Sequence, residues 1–405
     1  MSIKPLTALP TGHISTSLAY YAVFIAFGTA GAALGATLPN LADNTQSQLS
    51  EISVVFTAFA LGRLLGVSLS GRFYDQRRGH PVMALMLVLL AVALVLVPLM
   101  PLLWLLSVVL LLVGVAEGAL DVGGNTLLVW VYRDKVGPYM NGLHFAFGVG
   151  AFIAPIVIAQ TVQLTGSITW AYGVLALLAV PVIFWVLSLP SPKAPIIKDG
   201  EHDERANRLL VILLVVFFFI FVGAEVAFSG WIFTYAVTLN LTDATVGRYL
   251  TSAFFGAFML GRLLAIPIAA RFRPRTILFG DLVVCAVSVG VILLWPTSVI
   301  ALWIGTLGAG LGMASLFPTT LTLAERRMPI TGRITGWFLI GASVGAMFLP
   351  WLIGQLFESV GPTVTMVTIL IDVILSLGVL VVLLAAFNRP LKTGKTGDWR
   401  LELGD

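Results

Sequence analysis

Apolar runs of about 20 residues, the length that crosses a bilayer, recur from one end of the chain to the other, separated by short clusters of Lys, Arg, Pro and Gly. Twelve windows can be drawn, at about 18-42, 49-71, 81-101, 103-132, 139-163, 167-189, 208-238, 244-270, 276-296, 299-325, 334-357 and 363-387. Only 10% of the 405 residues are charged, against roughly 25% in soluble proteins, and the mean hydropathy is +1.01. A soluble enzyme is excluded. The first run, Leu18 to Leu41, is longer than the apolar region of a secretory leader, so it is read as a retained span. The lone cysteine, Cys285, offers neither a disulfide nor a cysteine metal site.

Basic residues orient the spans. With the N-terminus in the cytoplasm, 20 of the 23 Lys and Arg fall in cytoplasmic segments, as the positive-inside rule requires. Arg63 and Arg262 fall within spans, and Arg248 alone falls outside. The expectation is a multi-pass protein of the plasma or inner membrane with both termini cytoplasmic. The longest hydrophilic break, 190-207, divides the chain into a six-helix bundle (1-189) and a second one (208-390), followed by a tail (391-405). An internal repeat agrees with that division. Ser53-Val-Val-Phe-Thr-Ala-Phe-Ala-Leu-Gly-Arg-Leu-Leu65 recurs as Ser252-Ala-Phe-Phe-Gly-Ala-Phe-Met-Leu-Gly-Arg-Leu-Leu264, and Gly150 to Pro155 is answered by Gly345 to Pro350.

Five acids lie away from the ends of the apolar windows: Glu117, Asp121, Glu225, Asp281 and Asp372. An acid at mid-membrane costs at least ~2.5 kcal/mol on insertion scales, so it should face water or a partner. Glu117, Asp121 and Asn125 recur every four residues and share a helix face. Asp121 and Arg63 lie at similar depth, which allows an ion pair. The chemistry expected of this group is cation coupling by Asp121, Glu225, Glu117 and Arg63. Asn125 is a candidate substrate ligand, as are Trp231 and Tyr235 beyond Glu225 in window seven, because rings and hydrogen-bonding groups together suit sugars. His144 in window five and the repeat-related Gln160 and Gln355 complete the candidate substrate set. For Asp281 a structural pairing is expected, with Arg262 as the candidate partner. No phosphate loop is present, since Gly394-Lys395-Thr396 lacks the upstream glycine. An ATP-driven pump or other enzyme is therefore not expected.

The loop after window two, Gly71-Arg-Phe-Tyr-Asp75-Gln-Arg77-Arg78-Gly79, resembles the Gly-xxx-Asp-x-Arg signature of the major facilitator superfamily. That resemblance implies an all-α fold of twelve transmembrane helices in two pseudo-symmetric six-helix bundles, with Gly71, Asp75, Arg77 and Arg78 as a conformational latch. The strings Gly118-Ala-Leu-Asp121-Val-Gly123-Gly-Asn125, Leu143-His144-Phe-Ala-Phe147 and Gly223-Ala-Glu225 are similar to those of the sodium-dependent glucose transporter-like branch, and Phe317-Pro-Thr also to the related fucose-proton symporters. The resemblance implies symport of a monosaccharide-like solute with H+ or Na+ by alternating access, no further cofactor and no nucleic acid partner, by a monomer in the bilayer. Two other readings stay open at this point: a proton-coupled exporter of amphipathic compounds, which an aromatic and Met-lined cavity would favour, and a non-transporting nutrient sensor.

Overall fold

A computed structural model describes residues 11–76, 79–192, 208–328 and 332–387. Arg77 and Arg78 of the loop, the break from residue 193 and the tail 391-405 lie outside the described residues. Twelve helices are long and apolar enough to cross a membrane. In the first half they are α1 (Ile14–Thr45), α2 (Leu49–Tyr74), α3 (Gly79–Leu99), α4 (Leu103–Tyr132), α5 (Gly137–Thr165) and α6 (Ile168–Ser188). In the second half they are α7 (Arg208–Thr238), α8 (Ala244–Ala269), α9 (Pro274–Leu294), α10 (Val299–Glu325), α11 (Ile334–Val360) and α12 (Val364–Ala386). No strand occurs among the described residues.

Helix ends fall where the local chemistry stops or starts a backbone ladder. Gly166 closes α5 in the left-handed region, at φ +72°, and Ser167 caps α6 by accepting from the Thr169 N–H. Asp243 caps α8 through the Val246 N–H at 2.9 Å, and Ser298 caps α10 through the Ala301 N–H at 3.2 Å. Pro274 opens α9, at a position where its missing N–H costs nothing. Inside α10 the helix is interrupted between Met313 and Leu316. Ala314 would normally be bonded by the N–H of residue 318, but that residue is Pro318, which has none.

The main packing pairs of one half recur in the other. Helices α1·α5, α2·α4, α3·α6 and α3·α4 answer to α7·α11, α8·α10, α9·α12 and α9·α10, while α5·α8, α2·α11 and α1·α7 join the two halves. This is a pair of pseudo-symmetric six-helix bundles. Because apolar side chains gain little by leaving lipid, such helices associate through close van der Waals fit. The α2–α4 contact is made that way: a Cβ on Gly62 or Gly66 would strike the Leu111 or Val115 carbonyl, and one on Gly114 or Gly118 the Phe59 or Arg63 carbonyl. In the second half Gly261 abuts the backbone of Leu311 in the same manner.

Candidate substrate and coupling site

The tight α2–α4 seam brings Arg63 and Asp121 together. Arg63 Nη2 donates to Asp121 Oδ2 at 3.2 Å, with side-chain exposures of 41% and 26%. The pair thus faces open space inside the molecule rather than a sealed core. Asn125 sits one turn farther along α4, and its Nδ2 donates to both the Asp121 carbonyl and Asp121 Oδ1, each at 2.8 Å. In this conformation its amide is turned back onto Asp121, which leaves each carboxylate oxygen with a donor. Arg63 also lies over the Phe27 ring of α1, 5.5 Å from its centroid, an arrangement that stabilises a guanidinium in an apolar setting.

Glu117, one turn before Asp121, is fully buried over Gly31 of α1, and neither of its oxygens has a hydrogen-bond partner among the described residues. Across the bundle interface, Glu225 of α7 interacts electrostatically with Arg262 and Arg63. Arg262 occupies the repeat position of Arg63. It lies over the Phe258 ring at 4.6 Å from the centroid and is reached by the charges of Glu225 and Asp121. His144 of α5 packs edge-on against Phe24 and interacts with the charges of Arg262 and Asp121. His144 and Arg262 border a cavity of about 440 Å³ between α5, α8 and α10, whose remaining wall is largely apolar and aromatic and includes Phe147, Phe255, Phe317 and Met259. A shallower polar depression of about 340 Å³ at the other end, beside Asn40 and Thr169, holds none of the intramembrane acids.

The wall of the large cavity extends, through Phe272, Pro274 and Arg326, to the end of the molecule that carries Arg271, Arg326 and Arg327, hereafter the basic end. The opposite end is tied shut between the halves. Gln160 donates to the Tyr249 hydroxyl, joining α5 to α8. Gln355 donates to the Ser50 carbonyl at 2.7 Å and to Ser53 Oγ at 3.2 Å, joining α11 to α2. The two repeat-related glutamines therefore clamp opposite flanks. Trp231 and Tyr235 are both fully buried and in this conformation present no face to the cavity. Trp231 donates its indole N–H to the Pro350 carbonyl at 3.0 Å and lies between Phe56 and Phe357.

Two residues of this closed end carry no weight in a reading of the sequence. Arg248, which serves there only to set orientation, is 2% exposed and bridges the halves: its Nε donates to the Ala36 carbonyl at 3.1 Å and its Nη2 to Asn40 Oδ1 at 2.9 Å. Glu358 accepts from the Leu49 N–H at 2.9 Å and from Ser50 Oγ at 3.1 Å. Being the single basic residue on its side of the membrane was the available signal for Arg248; a helix-end glutamate such as Glu358 carries none. The expected pairing of Asp281 with Arg262 is corrected. Asp281 instead accepts from Ser315 Oγ, because the α9–α10 contact at Gly312 turns Asp281 toward the interruption in α10. Of the loop signature, Gly71 has open space around its Cα, and Asp75 falls on the last helical turn before residue 77.

A family model described as Major Facilitator Superfamily matches residues 19–329. The chain is 30% identical over 355 residues to sodium-dependent glucose transporter 1 of Xenopus laevis, covering 80% of this chain and 72% of the relative. It is 31% identical over 373 residues to sodium-dependent glucose transporter 1 of Homo sapiens, covering 83% and 72%. Among solved structures, a point mutant of the nucleoside transporter NupG superposes with a TM-score of 0.73 at 15% identity, covering 93% of this chain and 100% of that one. Sequence match, repeat and bundle geometry agree, and the chain belongs to the major facilitator superfamily of membrane transporters.

Proposed function

We propose that this protein takes up a monosaccharide by symport with H+ or Na+ through alternating access. The observation that carries the reading is the linked charge group Arg63–Asp121–Asn125 with Glu225 and Arg262 across the bundle interface. Such a group changes its internal pairing when a cation or proton enters it, and both bundles contribute to it. Binding energy can then bias how the bundles sit against each other. On the positive-inside rule the basic end faces the cytoplasm. The described conformation is then inward-facing, with Arg248, Gln160, Gln355 and Trp231 forming the closed outer side. Both termini are cytoplasmic on this reading, in the plasma or inner membrane, and one chain with its two bundles is the working unit.

Asp121 is the leading coupling residue, with Glu117 and Glu225 beside it, and Arg63 holds Asp121 when its cation is absent. Asn125 and His144 stand nearest to where a sugar would meet this group. Trp231, Tyr235, Gln160 and Gln355 would reach substrate only on opening of the outer side. The relatives named as sodium-dependent glucose transporters support a hexose-like solute. Counterflow in proteoliposomes with a panel of sugars, with sodium and pH gradients imposed separately, tests the reading. Exchange of a hexose that is accelerated by one gradient is expected; no exchange of any sugar overturns it. The aromatic wall with Met259 favours a second reading, proton-driven export of amphipathic compounds, which predicts drug-dependent proton flux instead.

A further inference from the structure

Outside the charge group just described, the second bundle holds an acid with no basic partner. Asp281 lies about two turns into α9, and among the described residues no Lys, Arg or His stands within ion-pair distance of it. Its carboxylate meets Ser315 Oγ, and Ser315 Oγ in turn receives the Thr319 hydroxyl at 3.5 Å. These groups gather at the interruption of α10, where two further negative features converge. The half-helix Val299–Met313 ends there, and the C-terminal end of a helix carries partial negative charge on its last carbonyls. The Ala314 carbonyl loses its normal donor to Pro318. Ala314, Pro318 and Thr319 also form part of the wall of the 440 Å³ cavity, which gives the place an aqueous approach.

We propose that Asp281, Ser315, Thr319 and the Ala314 carbonyl form a binding site for one sodium ion. The carboxylate is met by hydroxyls, with the Cys285 thiol one turn along α9, and no positively charged side chain balances it among the described residues. A proton would neutralise the carboxylate alone and leave the hydroxyls and carbonyl without a shared purpose. A metal ion uses them together, and interrupted membrane helices supply such oxygen ligands to sodium. In the described conformation the Asp281 carboxylate and the two hydroxyls are linked by hydrogen bonds, and an ion held at about 2.4 Å from each oxygen would enter by parting Ser315 from Asp281. One carboxylate among neutral oxygens matches a single positive charge. The site rests on the reading of the protein as cation-coupled, and it assigns the ion and its place in the second bundle. Because Phe317 and Thr319 share the segment with the cavity wall, ion binding would fix the wall that a solute meets.

The test is thermal unfolding of the purified full chain in sodium chloride against choline chloride at constant ionic strength. Wild type is expected to gain stability saturably and specifically with sodium. Asp281→Asn should lose the response, and Ser315→Ala and Thr319→Ala should each raise half-saturating sodium by roughly tenfold or more, since even indirect disruption of an ion site has effects of that size. Should Asp281→Asn not fold, the two hydroxyl variants decide. Absence of a sodium-specific gain in wild type overturns the proposal. So does a response of unchanged affinity in Asp281→Asn or in both hydroxyl variants, or its loss in Asp121→Asn alone. Sugar counterflow with sodium at equal concentration on both sides is read separately: its failure would remove the transport reading while leaving a sodium response of this site intact.

Discussion

The seam between α2 and α4 and the seam between α8 and α10 are built from the same repeat, yet they carry different chemistry. Gly62 and Gly261 occupy equivalent positions, and each abuts a leucine backbone, Leu111 or Leu311. Ten residues beyond those leucines stand Asp121 and Leu321. The first seam therefore pairs its arginine, Arg63, with a carboxylate at 3.2 Å, whereas Arg262 rests on Phe258 and looks across to Glu225. Polar chemistry in the second half has moved to Asp281, Ser315 and Thr319. By the same offset Ser315 and Thr319 answer to Val115 and Ala119 in the first half. The two seams share their packing and differ in the intramembrane charges they carry.

That contrast can be broken at the acid itself. Asp121→Asn is expected to reduce gradient-driven uptake by at least about 100-fold in proteoliposomes, comparable to losing a proton-transfer group, with an unchanged gel-filtration profile. Near-normal accumulation would remove Asp121 from coupling. Next in size, Arg63→Ala should destabilise the protein by leaving Asp121 unpaired, and adding Asp121→Asn should recover about 1 kcal/mol of that loss. Additive unfolding free energies would mean that the pair contributes no coupling energy. Transplanting the pair sharpens the comparison: Leu321→Asp should draw Arg262 away from Glu225 and slow uptake by roughly tenfold, on the order of 1.4 kcal/mol. A similar loss in Arg262→Gln alone, with no further loss when the two changes are combined, would tie the effect to that arginine; no effect on transport from Leu321→Asp would make the two seams functionally independent. The smallest effect is expected at the closed end. Arg248→Gln keeps part of the hydrogen bonding and should shift the equilibrium toward outer opening by about 1 kcal/mol, read as faster labelling of a cysteine placed at the fully buried Thr234.

Hydropathy and the positions of Lys and Arg suffice for the twelve helices, because a bilayer demands long apolar segments and little else imitates them. Windows such as 103-132 and 299-325 coincide with α4 and α10. Depth also made the Arg63–Asp121 pair legible, since both lie about ten residues from the same membrane face. What periodicity does not carry is the rotation and register of one helix against the next. Asn125 reads as free to meet a ligand, yet its amide folds back one turn to Asp121, a choice made by side-chain torsion. Asp281 has a partner of matching depth in Arg262, but the Gly312 contact sets a different rotation. The interruption of α10 was only partly legible, through Pro318.

The four glycines along the α2–α4 seam have a consequence for how mutations should distribute. Each is in backbone contact with the partner helix, so no side chain, however small or apolar, fits without prising the helices apart. The separation of Arg63 from Asp121 is thereby set by residues that carry no functional group. A tolerance map of the whole chain would then place Gly62, Gly66, Gly114 and Gly118 among the least replaceable positions, on a par with the acids they hold in place. In an organism's variation, losses of transport would arise there from changes as slight as a single added methyl.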